Sequence, residues 1–146
     1  MTSQEFIAKT RANLALLNAN RPAETLKLAM DLKALVQLRI QTIGVGATGA
    51  KLAPYVPAYA LARQKRGRQT EYVDLTDTGR MWNNIQPQLI GSDDDTTTIV
   101  VKATNAGDQN KLDGQRRKRG NILTPSQDEI NIAIQANLKR IQKYLQ

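Results

Sequence analysis

Cysteine and histidine are both absent from the 146 residues. Without cysteine there is no disulfide scaffold, thiol nucleophile, thiolate zinc site or iron–sulfur cluster. Without histidine there is no Ser-His-Asp triad, no HExxH zinc site and no two-His-one-carboxylate iron centre. Carboxylate, lysine or tyrosine chemistry stays open, but no paired spacing marks it. No catalytic, metal-binding or cofactor-binding residue is therefore assigned, and no enzyme is expected. Aromatics are scarce, with one Trp, one Phe and four Tyr, so the core is expected to be mainly aliphatic. No apolar run approaches the roughly 18–20 residues of a membrane span. The acid-containing, amphipathic N-terminus is unlike a signal peptide, and the chain reads as cytosolic or assembled in the cytosol. Negative charge is in short supply: 13 Asp and Glu face 21 Lys and Arg, a net charge of +8. That surplus favours an acidic partner without saying which kind.

The length suits one domain over residues 1–146. It divides into a helical N-terminal region (1–43), a loop and basic connector (44–70), and a hairpin plus C-terminal helix (71–146). Ser3 caps a first helix to about Asn18, and Asn20-Arg21-Pro22 reads as a break. Pro22 then starts a second helix to about Thr42, apolar on more than one side, as in a helix that packs on both its own domain and a neighbour. Gly44–Pro57 is irregular, and Tyr59–Arg66 is a short helix. Asp74-Leu75-Thr76 is extended, and Thr78 or Asp77 caps a short helix over Gly79–Ile85 that Pro87 ends. Gln88–Gly91 and the β-branched Thr96–Ala103 flank Ser92-Asp93-Asp94-Asp95 as a hairpin. The polar stretch 104–119 reads as a loop or a solvated helix, with 120–123 returning as a short strand. A last helix opens near Pro125, where Ser126 and Glu129 have capping-box spacing. Its apolar stripe is Ile130, Ile134, Leu138, Ile141 and Leu145. The order predicts an α+β fold, with N-terminal helices and a C-terminal helix packed on a small antiparallel sheet with long loops.

Four motifs carry candidate chemistry. Gly44-Val45-Gly46-Ala47-Thr48-Gly49 matches GxGxxG, but a helix precedes it, prolines follow, and the first acid is Glu71, so it reads as a flexible loop. Asp93-Asp94-Asp95 lacks the spacing of a cation site and reads as a solvated hairpin tip. The clusters Arg63/Lys65/Arg66/Arg68 and Arg116/Arg117/Lys118/Arg119 are either solvated or face phosphates or an acidic protein surface. Neither shows an aromatic platform nearby, which argues against sequence-specific single-strand binding. Trp82 reads as a core or interface anchor. Because 44–57 and 104–119 hold little apolar content, both are expected to be mobile in a free subunit.

Several segments together resemble one family. They are Gly49-x-x-Leu52-Ala53-Pro54-Tyr55, the basic stretch Ala62–Arg68, and Val73-Asp74-Leu75-Thr76-Asp77-Thr78-Gly79-Arg80-Met81 leading to Asn84-Ile85. Arg119-Gly120-Asn121-Ile122-Leu123 and Ser126-x-x-Glu129 complete the set. Across residues 45–145 the chain resembles the tailed-bacteriophage virion morphogenesis proteins, the neck and tail-completion subunits of the head–tail junction. The resemblance implies a non-enzymatic structural subunit of a connector ring joining the DNA-filled capsid to the tail, without cofactors. It implies a homo-oligomeric ring in the virion, assembled in the host cytoplasm. Its neighbours would be other neck, portal-adaptor or tail proteins, with DNA passing through the channel. For the run Arg116–Arg119 an acidic protein face is favoured over DNA, since a lumen that grips DNA slows its ejection. The reading from another class is a small basic nucleic-acid-binding protein, whose affinity falls steeply with salt where assembly through apolar faces does not.

Overall fold

In the computed structural model, which describes residues 1–146, the N-terminal region is one helix rather than two: α1 runs unbroken from Ser3 to Ile43 with Pro22 inside it. Its cap is Thr2 instead of Ser3, in a reciprocal capping box with Glu5. At 41 residues and about 1.5 Å per residue, α1 spans roughly 60 Å. The helix continues through Pro22 because the proline removes one donor only, and Asn18, which would have bonded to it, is exposed to water. Gly44 ends α1 in the left-handed conformation, φ 63°. A Cβ there would lie 2.8 Å from the Tyr72 Cβ and 3.0 Å from the Val73 carbonyl. The GxGxxG letters are thus a helix stop followed by a turn, tied by the Val45–Lys51 bridge.

The remaining elements are α2 (Pro57–Lys65), α3 (Arg80–Asn84), β1 (Ile85–Ser92), β2 (Thr97–Ala103), α4 (Ala106–Arg119), α5 (Gln127–Ile141) and a final 3₁₀ turn, Gln142–Tyr144. The fold is α+β, five helices on a two-stranded antiparallel sheet. Two further boundaries, at Pro87 and at residues 120–123, differ from expectation. Pro87 does not stop α3 but sits within β1, opposite Val101; on a two-stranded sheet one side of each strand has no ladder to break. Of the two forms open to residues 104–119 the helix is the one present: Asn105 caps α4 by accepting the Asp108 N–H, and Leu112 anchors it in the core. Residues 120–123 make a turn, not a strand.

The core gathers Val36 and Ile40 of α1, Val73, Leu75, Trp82, Ile85, Leu112 and Ile122. It is aliphatic around one indole. The hairpin starts there at Ile85 and runs back along α1, until Arg21 donates to the Asp93 and Asp94 carbonyls at its tip. Lengths agree: about 8 strand residues at 3.3 Å match about 17 helical residues at 1.5 Å, roughly 25 Å each way. α5 packs on α1 through Ala133, while Ile134, Leu138 and Leu145 of its anticipated core stripe are exposed. Behind Ala133, a capping box of Ser126 and Glu129 starts α5 as the spacing requires, and Arg39 clamps Glu129 at 2.7 Å.

Trp82 is fully buried, and its indole N–H donates to the Asp74 carbonyl at 3.4 Å. Trp82→Ala should therefore lower stability by about 3–5 kcal/mol, read as a shift of the urea midpoint at unchanged m-value; a loss below about 1 kcal/mol would place the indole outside the core.

Candidate interaction site

Asp74 is where the middle of the chain converges. Its carboxylate accepts from the Tyr55 hydroxyl at 2.9 Å, the Arg63 guanidinium at 3.0 and 3.2 Å, the Gln69 amide at 2.8 Å and the Thr76 N–H at 2.9 Å. Arg63 is 1% exposed. Its other donors reach the Gln69 and Thr76 carbonyls, and its guanidinium lies 4.6 Å from the Tyr55 ring centre. The node holds Leu75 at φ 54°, a left-handed conformation that costs a non-glycine residue about 1–2 kcal/mol. The Leu75 N–H donates to the Tyr55 oxygen at 3.1 Å, which offsets part of that strain.

This node forms one wall of an open groove of about 960 Å³ between the 53–59 segment, residues 75–81 and the C-terminal turns of α4. Tyr55, Val56, Tyr59 and Met81 give it an apolar floor, and Arg80, Lys111, Lys118 and Arg119 surround them. Asp77 is the one acid in the lining, and it is engaged by Arg66 at 3.1 Å and Arg68 at 3.6 Å. Arg119 lies 5.6 Å from the Tyr55 ring and donates to the Ala53 and Pro54 carbonyls, which fixes the groove's edge to α4.

The anticipated site residues separate into three groups. Arg63 is corrected from a surface contact to a buried structural group, and Trp82, read as a core or interface anchor, lies in the core. Arg66, Arg68, Arg116 and Arg119 are held by intramolecular partners, Arg116 by Asp113 at 3.8 Å. Lys65, Arg117 and Lys118 are exposed and take no part in an ion pair. The run 116–119 is the last turn of α4, where cations meet the negative end of the helix dipole. The expectation that both clusters lack aromatic neighbours fails: Tyr59 lies 6.0 Å from both Arg63 and Arg66, and Tyr55 meets Arg119. Arg80, Lys111, Tyr55 and Tyr59 line the groove although the sequence motifs assign none of them to an interaction site. The i, i+4 spacing of Tyr59 and Arg63 on α2 was the available signal.

Asp93–Asp95 do not join other acids, and no group of His, Cys, Asp or Glu is placed to hold a metal ion. Asp93 instead caps its own turn, accepting the Asp95 and Thr96 N–H groups. That leaves the carboxylates of Asp94 and Asp95 without an intramolecular hydrogen bond or ion pair.

At the far end of α1 a helical arm stands apart. Every hydrogen bond of residues 2–20 stays within α1, and the first link to the body is Arg21. Phe6 on this arm is 61% exposed, with Ile7, Leu14 and Leu16 near half. Where the arm meets the body, buried Glu24 accepts from Lys27 at 3.1 Å and the Tyr144 hydroxyl at 2.9 Å. No protein-family model, no curated protein and no solved structure matches this chain.

Asp74→Asn should cost about 3–5 kcal/mol, because it strands the Arg63 charge in the interior. Adding Arg63→Met should recover a large part, a pattern that denaturant midpoints in a double-mutant cycle resolve.

Stability should fall at both ends of the pH scale. Burial pushes the Tyr55 hydroxyl up to about 12, aided by the neighbouring Asp74 carboxylate. From about pH 10, where an unfolded tyrosine ionises, the native state holds a proton the unfolded chain has lost. That contribution is complete below about pH 10 and disappears as pH rises through the native value. At the acid end, hydrogen bonds from Asn105, Asn84 and Lys111 hold Asp108 far below the usual carboxylate range. For Glu129, burial alone would raise the pKa, and Arg39 and the Ser126 N–H overcome it. These contributions are present above about pH 4 and vanish as pH falls through the lowered native values. Thermal melts across pH should give a broad plateau, and a Tyr55→Phe variant should lose the alkaline limb alone.

Proposed function

We propose that this protein is a non-enzymatic structural subunit of a phage head–tail connector, neck or tail-completion ring that joins the DNA-filled capsid to the tail. The observation that carries the reading is the arm of α1. Roughly 27 Å of helix, 18 residues at 1.5 Å each, projects with Phe6, Ile7, Leu14 and Leu16 unpartnered. A stable free monomer gains nothing from such a face; a subunit completed by its neighbours does. The outward apolar side chains of α5 and the hairpin point the same way, since only 17 of 146 residues are buried. The motif resemblance supplies the class of assembly, and Tyr55, Asp74, Leu75 and Thr76 of those motifs are the residues that build the central node. On this reading the subunit forms a homo-oligomeric ring in the virion, assembled in the host cytoplasm, against portal-adaptor or tail proteins.

The exposed cations at the end of α4 favour the second reading, a small basic nucleic-acid-binding protein, in which Arg117 and Lys118 would meet phosphates.

Native mass spectrometry separates the two. The wild-type chain should form a discrete oligomer free of nucleic acid, and a variant lacking residues 2–20 should keep the circular dichroism of the folded body yet run as a monomer. Complementation of a phage lacking the gene with that variant should leave full heads and unattached tails. A wild-type chain that never self-associates, yet binds duplex DNA with an affinity falling steeply with salt, overturns the ring reading in favour of the second.

A further inference from the structure

The charges of the hairpin and its root are arranged as a plug and a socket. At the tip, Asp94 and Asp95 carry carboxylates with no intramolecular partner, beside Leu89 and Ile90, which are 48% and 62% exposed. A bulge between Leu89 and Gly91 leaves Ile90 without a cross-strand partner; bulges commonly re-aim a side chain in this way. Arg21 holds the tip through the Asp93 and Asp94 carbonyls, so its acids are presented from a fixed position. At the root, where α3 leads into β1 and β2 into α4, lies the groove with its aromatic floor and its cations Arg80, Lys111 and Lys118. Arg80 and Lys111 are 71% and 61% exposed and share one carboxylate, Asp108; Lys118 has none.

We propose that the Leu89–Asp95 tip of one copy docks in the Tyr55/Tyr59/Met81 groove of the next. The apolar pair Leu89 and Ile90 covers the apolar floor, and Asp94 and Asp95 meet Arg80, Lys111 and Lys118. Tip and groove sit at opposite ends of one hairpin, about 25 Å apart at 3.3 Å per residue. The pinned tip therefore cannot reach its own groove. The contact joins two different patches, which makes it head-to-tail, the geometry that closes rings. The free acids are few: of the carboxylates outside ion pairs, only those at the tip form an adjacent set. A second copy is therefore the acidic occupant this chain itself supplies. The inference rests on the ring reading and names a contact within it.

The test is a charge exchange followed by sedimentation velocity and native mass spectrometry. Asp94→Lys/Asp95→Lys makes the tip basic, and Arg80→Glu/Lys118→Glu makes the groove acidic. Each variant alone faces like charge with like and should self-associate more than tenfold more weakly than wild type. Mixed in equal amounts they should reassociate, because each basic tip meets an acidic groove and each acidic tip a basic one. Reassociation itself shows that both variants are folded, and thermal melts check each separately. Wild-type assembly that added salt weakens agrees with the contact. If wild type assembles and either variant alone does so equally well, the contact is wrong and the ring reading stands. The contact is equally wrong if two folded variants fail to reassociate, or if the groove variant loses binding to a DNA duplex while assembling normally. A wild-type chain that stays monomeric overturns both.

Discussion

The middle of the molecule depends on one buried ion pair, Arg63 with Asp74. α2 has a single buried side chain, Arg63, so its attachment to the body is electrostatic where most short helices use an apolar face. An interior guanidinium is tolerated only when its donors are matched, and here each of its three nitrogens finds an oxygen. The same carboxylate fixes Tyr55 and Gln69, while the Asp74 carbonyl receives Trp82. The 44–57 segment, α2, the 69–76 segment and α3 are thus positioned from one residue. The unfavourable backbone at Leu75 persists because so many bonds around it agree.

The other organising relation is between α1 and the hairpin. Core packing fixes the root of the hairpin against Val36 and Ile40, and Arg21 fixes its tip. A two-stranded ribbon is marginal by itself in water; laid along a helix and held at both ends, it becomes a rigid projection. The acids at one end and the cations at the other follow from where β1 and β2 begin and end, and that placement makes the molecule electrostatically polar along the hairpin.

Elements with a local signature were legible in the sequence. The β-branched run of β2, the Ser126/Glu129 capping box and the acidic turn all depend on residues within a few positions of one another. What escaped was decided at long range. Pro22 reads as a break by local rules, yet helix on both sides and a water-exposed Asn18 let α1 pass through. Residues 104–119 look solvated because a single apolar side chain, Leu112, anchors α4, and one leucine among charges makes no period. Arg63 looks like its basic neighbours, and its buried carboxylate lies 11 residues away in an irregular segment. Tyr55 and Tyr59 share the groove with residues of α4, which are more than 50 positions away in sequence. The site was legible as charge and illegible as shape.

The arm of α1 is helical with nothing from the body covering it, and on the proposed ring reading this bears on how quickly it would engage a neighbour. The slow step in making a helix is its first turn, with a nucleation factor on the order of 0.001. Here the packed half of α1 provides that turn, and the arm grows from it by propagation alone. Thr2 and Glu5 close the far end, the place where fraying would begin. A tail that must fold as it lands surrenders backbone freedom at the moment of contact, on the order of 1–2 kcal/mol per residue. On the proposed ring reading this arm would have surrendered most of it beforehand, so each encounter would meet a surface of settled shape and association would carry no ordering step.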